Sequence, residues 1–208
     1  MPKPYIPNDK WSQRAAKEGY RARSVYKLME LDERLGLLKE GMTVIDLGAA
    51  PGSWLQYASQ KIGPEGMALG FDLQEIKPVE ANACPEPERR VKTFVMDISN
   101  RFAVEEVLRK EGVREADLVL SDIAPNTSGI KDIDQWKSVE LAQASLAIAK
   151  DILKPSGKCV VKVFRGADFD EFYASLKYDW QDVKNMEVEA TRDRSREVYV
   201  VVRKPDVR

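Results

Sequence analysis

Residues 44–54, Val-Ile-Asp-Leu-Gly-Ala-Ala-Pro-Gly-Ser-Trp, restrict the possible folds of this chain more than any other stretch. An apolar run reaches Asp46, small residues turn the chain through Gly48, Ala49, Ala50 and Gly52, and a helix is expected from Ser53. In an open α/β sheet such a turn stands at the carboxyl end of a strand, where ligands bind. Small residues let a ligand come close to the backbone. The turn has neither the Lys-Ser/Thr ending of a Walker loop nor the G-x-G-x-x-G spacing of a dinucleotide fingerprint. It therefore suits a ligand without a polyphosphate, such as a nucleoside.

The rest of the chain continues the same pattern. Ser24 to Leu38 places Val25, Leu28, Leu31, Leu35 and Leu38 near a 3.6-residue period, which predicts an amphipathic helix closed by Gly41. Strands are expected at 43–48, 67–72, 92–97, 117–122 and 158–164, and helices near 53–62, 101–111, 135–153 and 168–177. Two last strands, about 185–191 and 196–203, follow one another without a helix and should form an antiparallel hairpin. Nearly continuous apolar strands alternating with helices argue for a mostly parallel sheet covered on both faces. The chain of 208 residues fits one domain, 1–208, in which a basic arm and helix over about 1–36 precede the sheet.

Composition removes whole classes of chemistry. There is no histidine, which excludes a Ser-His-Asp triad, a Cys-His nucleophile and every histidine-containing zinc site. Proton transfer is left to Lys, Asp, Glu, Tyr, Cys or water. Cys84 and Cys159 are far apart and lack metal-ligand spacing, so no metal is expected and both are read as free thiols. No apolar run approaches the roughly 18–20 residues of a membrane span. The first residues also lack a signal-type hydrophobic stretch. A cytoplasmic protein is the simplest expectation. Charge is polarised: residues 1–28 hold seven lysines and arginines against two acids, on an otherwise acidic body. Such an arm is either a docking surface for a polyanion or an ordinary solvated helix face.

Four of the expected parallel strands finish in an acid, Asp46, Asp72, Asp97 and Asp122. Each alone could be a turn or cap residue. Together at one sheet edge they would line a shared crevice, with the acid after the second strand placed to accept hydrogen bonds from ribose hydroxyls. Lys162 interrupts the apolar run Cys-Val-Val-Lys-Val-Phe and needs acidic neighbours or an opening to a cleft. A desolvated lysine is a candidate base; snorkelling at a strand end is the plainer alternative. Asp122 ends the adjacent strand, Lys27 sits on the first long helix, and Glu197 opens the last strand. Taken singly, Lys27 and Glu197 read as surface ion-pair residues. Taken with Asp122 and Lys162, they supply two ammonium groups and two carboxylates.

Asp-Leu-Gly-Ala-Ala-Pro-Gly-Ser-Trp, Ser-Asp-Ile-Ala-Pro-Asn, Val-Val-Lys-Val-Phe and Ser-Arg-Glu-Val-Tyr, in that order, resemble the FtsJ/RrmJ family of RNA ribose 2′-O-methyltransferases. Tyr-Arg-Ala-Arg-Ser-Val-Tyr-Lys-Leu is similar to that family's N-terminal element, so the resemblance covers about residues 8–203. It implies a seven-stranded Rossmann-like methyltransferase sandwich with an antiparallel last strand, and S-adenosylmethionine as methyl donor. It implies a catalytic tetrad at Lys27, Asp122, Lys162 and Glu197, and donor contacts at Gly52, Trp54, Asp72, Asp97 and Asp122. By the same analogy Asp72 holds the ribose hydroxyls, Asp97 the adenine amino group, and the Gly52 and Trp54 region the methionine end. The implied substrate is a uridine of the large-subunit ribosomal RNA A loop, with transfer RNA as the alternative. The implied protein is a monomer, and Arg14, Lys17, Arg21 and Arg23 of the arm are expected to grip RNA phosphates. A small-molecule or protein methyltransferase, a silent RNA-binding assembly factor and a nicotinamide dehydrogenase are the rivals.

Overall fold

The computed structural model describes residues 9–79, 90–191 and 196–206. The expectations that rest on Lys3, on Cys84 and on most of the 74–90 linker lie outside the described residues. Helices α1 (Lys10–Lys17) and α2 (Val25–Leu35) lead into a regular alternation. Strand β1 (Thr43–Leu47), helix α3 (Ser53–Ile62), strands β2 (Met67–Asp72) and β3 (Val91–Val95), helix α4 (Arg101–Lys110) and strand β4 (Ala116–Ser121) follow in that order. The chain closes with α5 (Lys131–Ile152), β5 (Leu153–Phe164), α6 (Phe169–Asp179), β6 (Gln181–Met186) and β7 (Glu197–Arg203). No described helix is long and apolar enough to cross a membrane.

The seven strands form one sheet in the order β3-β2-β1-β4-β5-β7-β6. β1 pairs in parallel with β2 and with β4, β4 pairs in parallel with β5, and β7 runs antiparallel to both β5 and β6. The order reverses between β1 and β4, which opens a crevice at their carboxyl ends. The inner strands β1, β2, β4 and β7 and the second half of β5 are buried on both faces, which is why they read as apolar runs, whereas the edge strands β3 and β6 are only partly covered. One face packs Leu118, Leu120, Val160 and Tyr199 against Leu28 and Leu31 of α2 and Leu55 and Ala58 of α3. The other packs Val119, Val161 and Val163 against α4, α5 and α6 through residues such as Leu108, Ala149 and Phe172.

β5 starts at Leu153 rather than 158 and β3 ends at Val95 rather than 97, and three further boundaries depart from the sequence expectation for a visible reason. The first long helix ends at Leu35, because Gly36 takes the left-handed conformation (φ 56°) that closes a helix. Gly41 does not close it, and Leu37 and Leu38 enter the core from the following loop, where Asp32 accepts the Leu38 N–H at 2.8 Å. The first hairpin strand is Gln181–Met186 rather than 185–191. Residues 187–190 leave the sheet because α2 takes their polar groups: Arg34 donates to the Glu187 carbonyl at 2.8 Å and Glu30 accepts from the Glu189 N–H at 2.7 Å. The helix expected at 135–153 begins at Lys131, with Asp132 and Asp134 in a first turn whose dipole favours them. The Asp134 carboxylate also accepts from the Ser128 and Gly129 N–H groups and fixes the preceding loop.

Candidate active site

Strand register brings three of the proposed tetrad residues to one place. Lys162 on β5 lies opposite Tyr199 on β7, and Asp122 follows Ser121, which pairs with Val161. Paired residues share a face, so Lys162 points to the side covered by α2, where Lys27 stands one residue before Leu28. Glu197 starts β7 two residues before Tyr199 and so points the same way. Lys27 is 8 % exposed and Lys162 6 %. Two ammonium groups this deeply buried need acidic partners.

They have them. Lys162 Nζ lies 2.9 Å from Asp122 Oδ1 and donates to the Asp122 backbone carbonyl at 2.6 Å. Lys27 Nζ is 2.6 Å from Glu197 Oε2 and 3.9 Å from Asp122 Oδ1, and sits 5.8 Å from the centre of the Tyr199 ring. The Tyr199 hydroxyl donates to Asp122 Oδ1 at 2.6 Å. Burial alone would raise the Asp122 carboxyl, but the charges of Lys162 and Lys27 and the Tyr199 and Lys162 hydrogen bonds outweigh it and hold the group below its ordinary range. Burial pushes the Tyr199 hydroxyl well up, with the Asp122 and Glu197 charges adding to it, so Tyr199 stays protonated as a donor. Sequence reasoning missed Tyr199. Its signal was the alternation after Glu197, which returns residue 199 to the face of the acid.

The acids at the sheet edge divide into two groups. Asp46, inside β1 between Gly70 and Leu120, is buried, and its Oδ2 has no hydrogen-bond partner among the described residues. Burial first, then the neighbouring Asp122 and Asp72 charges, raise its carboxyl well above the usual range. Asp46, Asp72 and Asp122 therefore stand close enough at the crevice to act on one another's charge. Asp72 ends β2, and its two oxygens accept from the Ala50 N–H at 2.9 Å and the Gln74 N–H at 2.8 Å. Asp97 lies two residues beyond β3, not in it, and Oδ1 accepts the Ser99 N–H at 2.8 Å in a local turn.

The turn before α3 is fixed by packing. Gly48 (φ 74°) and Gly52 (φ 98°) both need the left-handed region. A Cβ at Gly48 would come within 2.0 Å of Ile123. Trp54 is buried, donates from Nε1 to the Ser24 carbonyl at 2.8 Å, and has its ring 5.9 Å from that of Tyr199. Gly52 and Trp54 thus belong to the wall between the crevice and α2. A crowded set of carboxylates, one oxygen of which is buried and unpartnered, fits a cationic ligand.

The basic arm is less free than its charge implies. Arg23 pairs with Asp9 and donates to the Ala190 carbonyl, and Arg21 donates to three backbone carbonyls. Arg14 pairs with Glu18 at 2.7 Å and lies over Tyr26 at 4.6 Å, yet its side chain remains half exposed. Lys10 and Lys17 are exposed. The arm therefore presents Lys10, Arg14 and Lys17 outward, while Arg21 and Arg23 work inside the chain.

A family model described as FtsJ-like methyltransferase matches residues 20–205. A Desulfatibacillum aliphaticivorans protein named Ribosomal RNA large subunit methyltransferase E is 42 % identical over 193 residues, 93 % of this chain and 88 % of the relative. A Methanobrevibacter smithii protein of the same name is 40 % identical over 194 residues, 93 % of this chain and 89 % of the relative. A crystal structure of a Plasmodium falciparum protein described as a ribosomal RNA methyltransferase aligns with a TM-score of 0.74 at 25 % identity, covering 91 % of this chain and all of that one.

Proposed function

The chain belongs to the FtsJ-like methyltransferase family, and from that premise we propose that it methylates a ribose 2′-hydroxyl of RNA with S-adenosylmethionine. The substrate that fits the relatives' names is large-subunit ribosomal RNA, and within it we propose a uridine of the A loop. The observation that carries the reading is the buried Lys162 amine held by Asp122 Oδ1 and by the Asp122 backbone carbonyl beside the acidic crevice.

S-adenosylmethionine carries ammonium and sulfonium charges that suit the Asp46, Asp72 and Asp122 cluster, and when bound it supplies a methyl carbon already activated for attack. Asp72 would hold the ribose hydroxyls of the donor, Asp97 its adenine amino group, and the Gly52 and Trp54 wall its methionine end. Lys162 takes the proton of the target 2′-hydroxyl. At rest Lys162 is the ammonium partner of Asp122, so it must first release one proton to solvent; the neutral amine then keeps two N–H bonds, toward Asp122 Oδ1 and the Asp122 carbonyl, and offers its lone pair to the hydroxyl proton. Asp122 fixes this direction, and the Tyr199 hydroxyl fixes Asp122. Lys27, braced by Glu197, orients the target ribose. Alignment of the reactants and management of one proton are the protein's whole share of the chemistry.

We propose that the chain works as one domain, 1–208, and as a monomer. The cytoplasm is the compartment that goes with this substrate. The exposed Lys10, Arg14 and Lys17 supply an RNA contact on the side of α2. The test is transfer of labelled methyl to free large-subunit RNA, assembled large subunits and transfer RNA, followed by mapping of the product. The reading expects one 2′-O-methylated uridine in large-subunit RNA; label only in transfer RNA overturns the substrate, and no label in any RNA overturns the activity.

A further inference from the structure

Arg21 stands between α1 and α2, in the segment whose charge suggests contact with RNA, but its side chain turns toward the donor crevice. Nη1 donates to the carbonyls of Pro51 at 3.0 Å and Lys77 at 2.6 Å, and Nη2 donates to the carbonyl of Pro78. Its own backbone is tied to α3: the Arg21 N–H donates to Gln56 Oε1 at 2.9 Å, and the Tyr20 hydroxyl to Gln60 at 3.1 Å. The three carbonyls come from two separate segments, the turn before α3 and the run that leaves β2 after Asp72. Carbonyl oxygens converging on one point repel each other, and the planar five-donor fork of an arginine suits such a site where a lysine does not.

The same two segments are joined a second time through Asp72, which accepts from Ala50 in the turn and from Gln74 in the run. Asp72 and Arg21 are thus two brackets between one pair of segments, Asp72 at the sheet edge and Arg21 reaching in from the N-terminal arm. Gly52 connects this bracket with the turn. A Cβ there would lie 2.8 Å from Arg21 Nη1, 3.1 Å from Ile76 and 3.4 Å from Val79, so the space left by the missing side chain holds the guanidinium and its two apolar neighbours.

We propose that Arg21 is a positioning residue for the methyl-donor site, a clamp that sets the spacing between the Gly52 turn and the run after Asp72. The proposal rests on the donor site described above, and donor binding to the protein alone tests it without RNA. The measurements are calorimetric titration of the full chain with S-adenosylmethionine, steady-state kinetics and salt-dependent RNA binding for Arg21→Lys and Arg21→Gln. The expected result is a donor Kd and a donor KM raised about tenfold or more in both variants, the loss of several charge-assisted hydrogen bonds. At saturating donor kcat should stay within about threefold, a split that general destabilisation does not produce. The salt slope of RNA binding should not change. A slope shallower by about one with donor affinity intact makes Arg21 a phosphate contact and overturns the clamp.

Wild-type protein that binds no donor overturns the site reading itself, whereas wild type and Arg21→Lys binding equally overturns the clamp alone.

Discussion

Replacing Asp122 with asparagine removes the charge that three buried groups share. Lys162 Nζ at 2.9 Å, Lys27 Nζ at 3.9 Å and the Tyr199 hydroxyl at 2.6 Å all meet Asp122 Oδ1. Breaking a buried ion pair by removing one partner costs about 3–5 kcal/mol, because the remaining charge is left in a poor solvent. Lys27 keeps Glu197, and Lys162 keeps the Asp122 backbone carbonyl, so the low end, about 3 kcal/mol, is expected. In a chain of this size that lowers Tm by about 6–12 °C. The pH dependence follows from the depressed Asp122 carboxyl. Its contribution is complete above the ordinary carboxylate range and disappears as pH falls through the folded-state value, so the gap between wild type and variant closes in acid. Thermal unfolding from pH 7 to pH 3 reads both effects. The double variant Asp122→Asn/Lys162→Met should recover part of the loss, since it removes the stranded ammonium. A Tm within about 2 °C of wild type at pH 7, or strict additivity in the double variant, refutes the argument for a shared buried charge.

Asp46→Asn should raise Tm at pH 8 in the absence of donor and leave it unchanged near pH 4. A carboxyl raised by folding stabilises fully only below its ordinary value and loses that contribution as pH climbs through the raised one; a pH-independent difference contradicts this. Gly48→Ala must fit a methyl 2.0 Å from Ile123 at φ 74°, and should cost about 2 kcal/mol or more in urea unfolding; an unchanged midpoint contradicts the packing account. Neutralising Lys10, Arg14 and Lys17 together should flatten the salt dependence of RNA affinity by about two to three in slope while leaving donor Kd unchanged. Steep salt dependence in that variant places the RNA elsewhere.

Most of the fold can be read from short-range pattern. Strands buried on both faces advertise themselves as apolar runs, and the turn at 48–52 marks the crevice before any pairing is known. Lys162 was legible for the same reason: a cation among Val160, Val161 and Val163 demands a partner. What short-range pattern could not supply was decided by distant contacts. Residues 187–190 look like a strand, but Arg34 and Glu30 of α2 take their backbone groups. Arg21 and Arg23 look like free cations, and only the fold brings the Pro51, Lys77, Pro78 and Ala190 carbonyls to them. Tyr199 shows the same limit, since its role depends on a register between β5 and β7 that no local pattern fixes.

The central claim is that the amine of residue 162 handles the hydroxyl proton, and single-turnover methyl transfer by Lys162→Met tests it most directly. With donor and RNA both saturating and donor Kd within about twofold of wild type, the rate should fall about 100-fold or more, the share of a positioned base. A variant that binds donor normally and transfers methyl at the wild-type rate would contradict it.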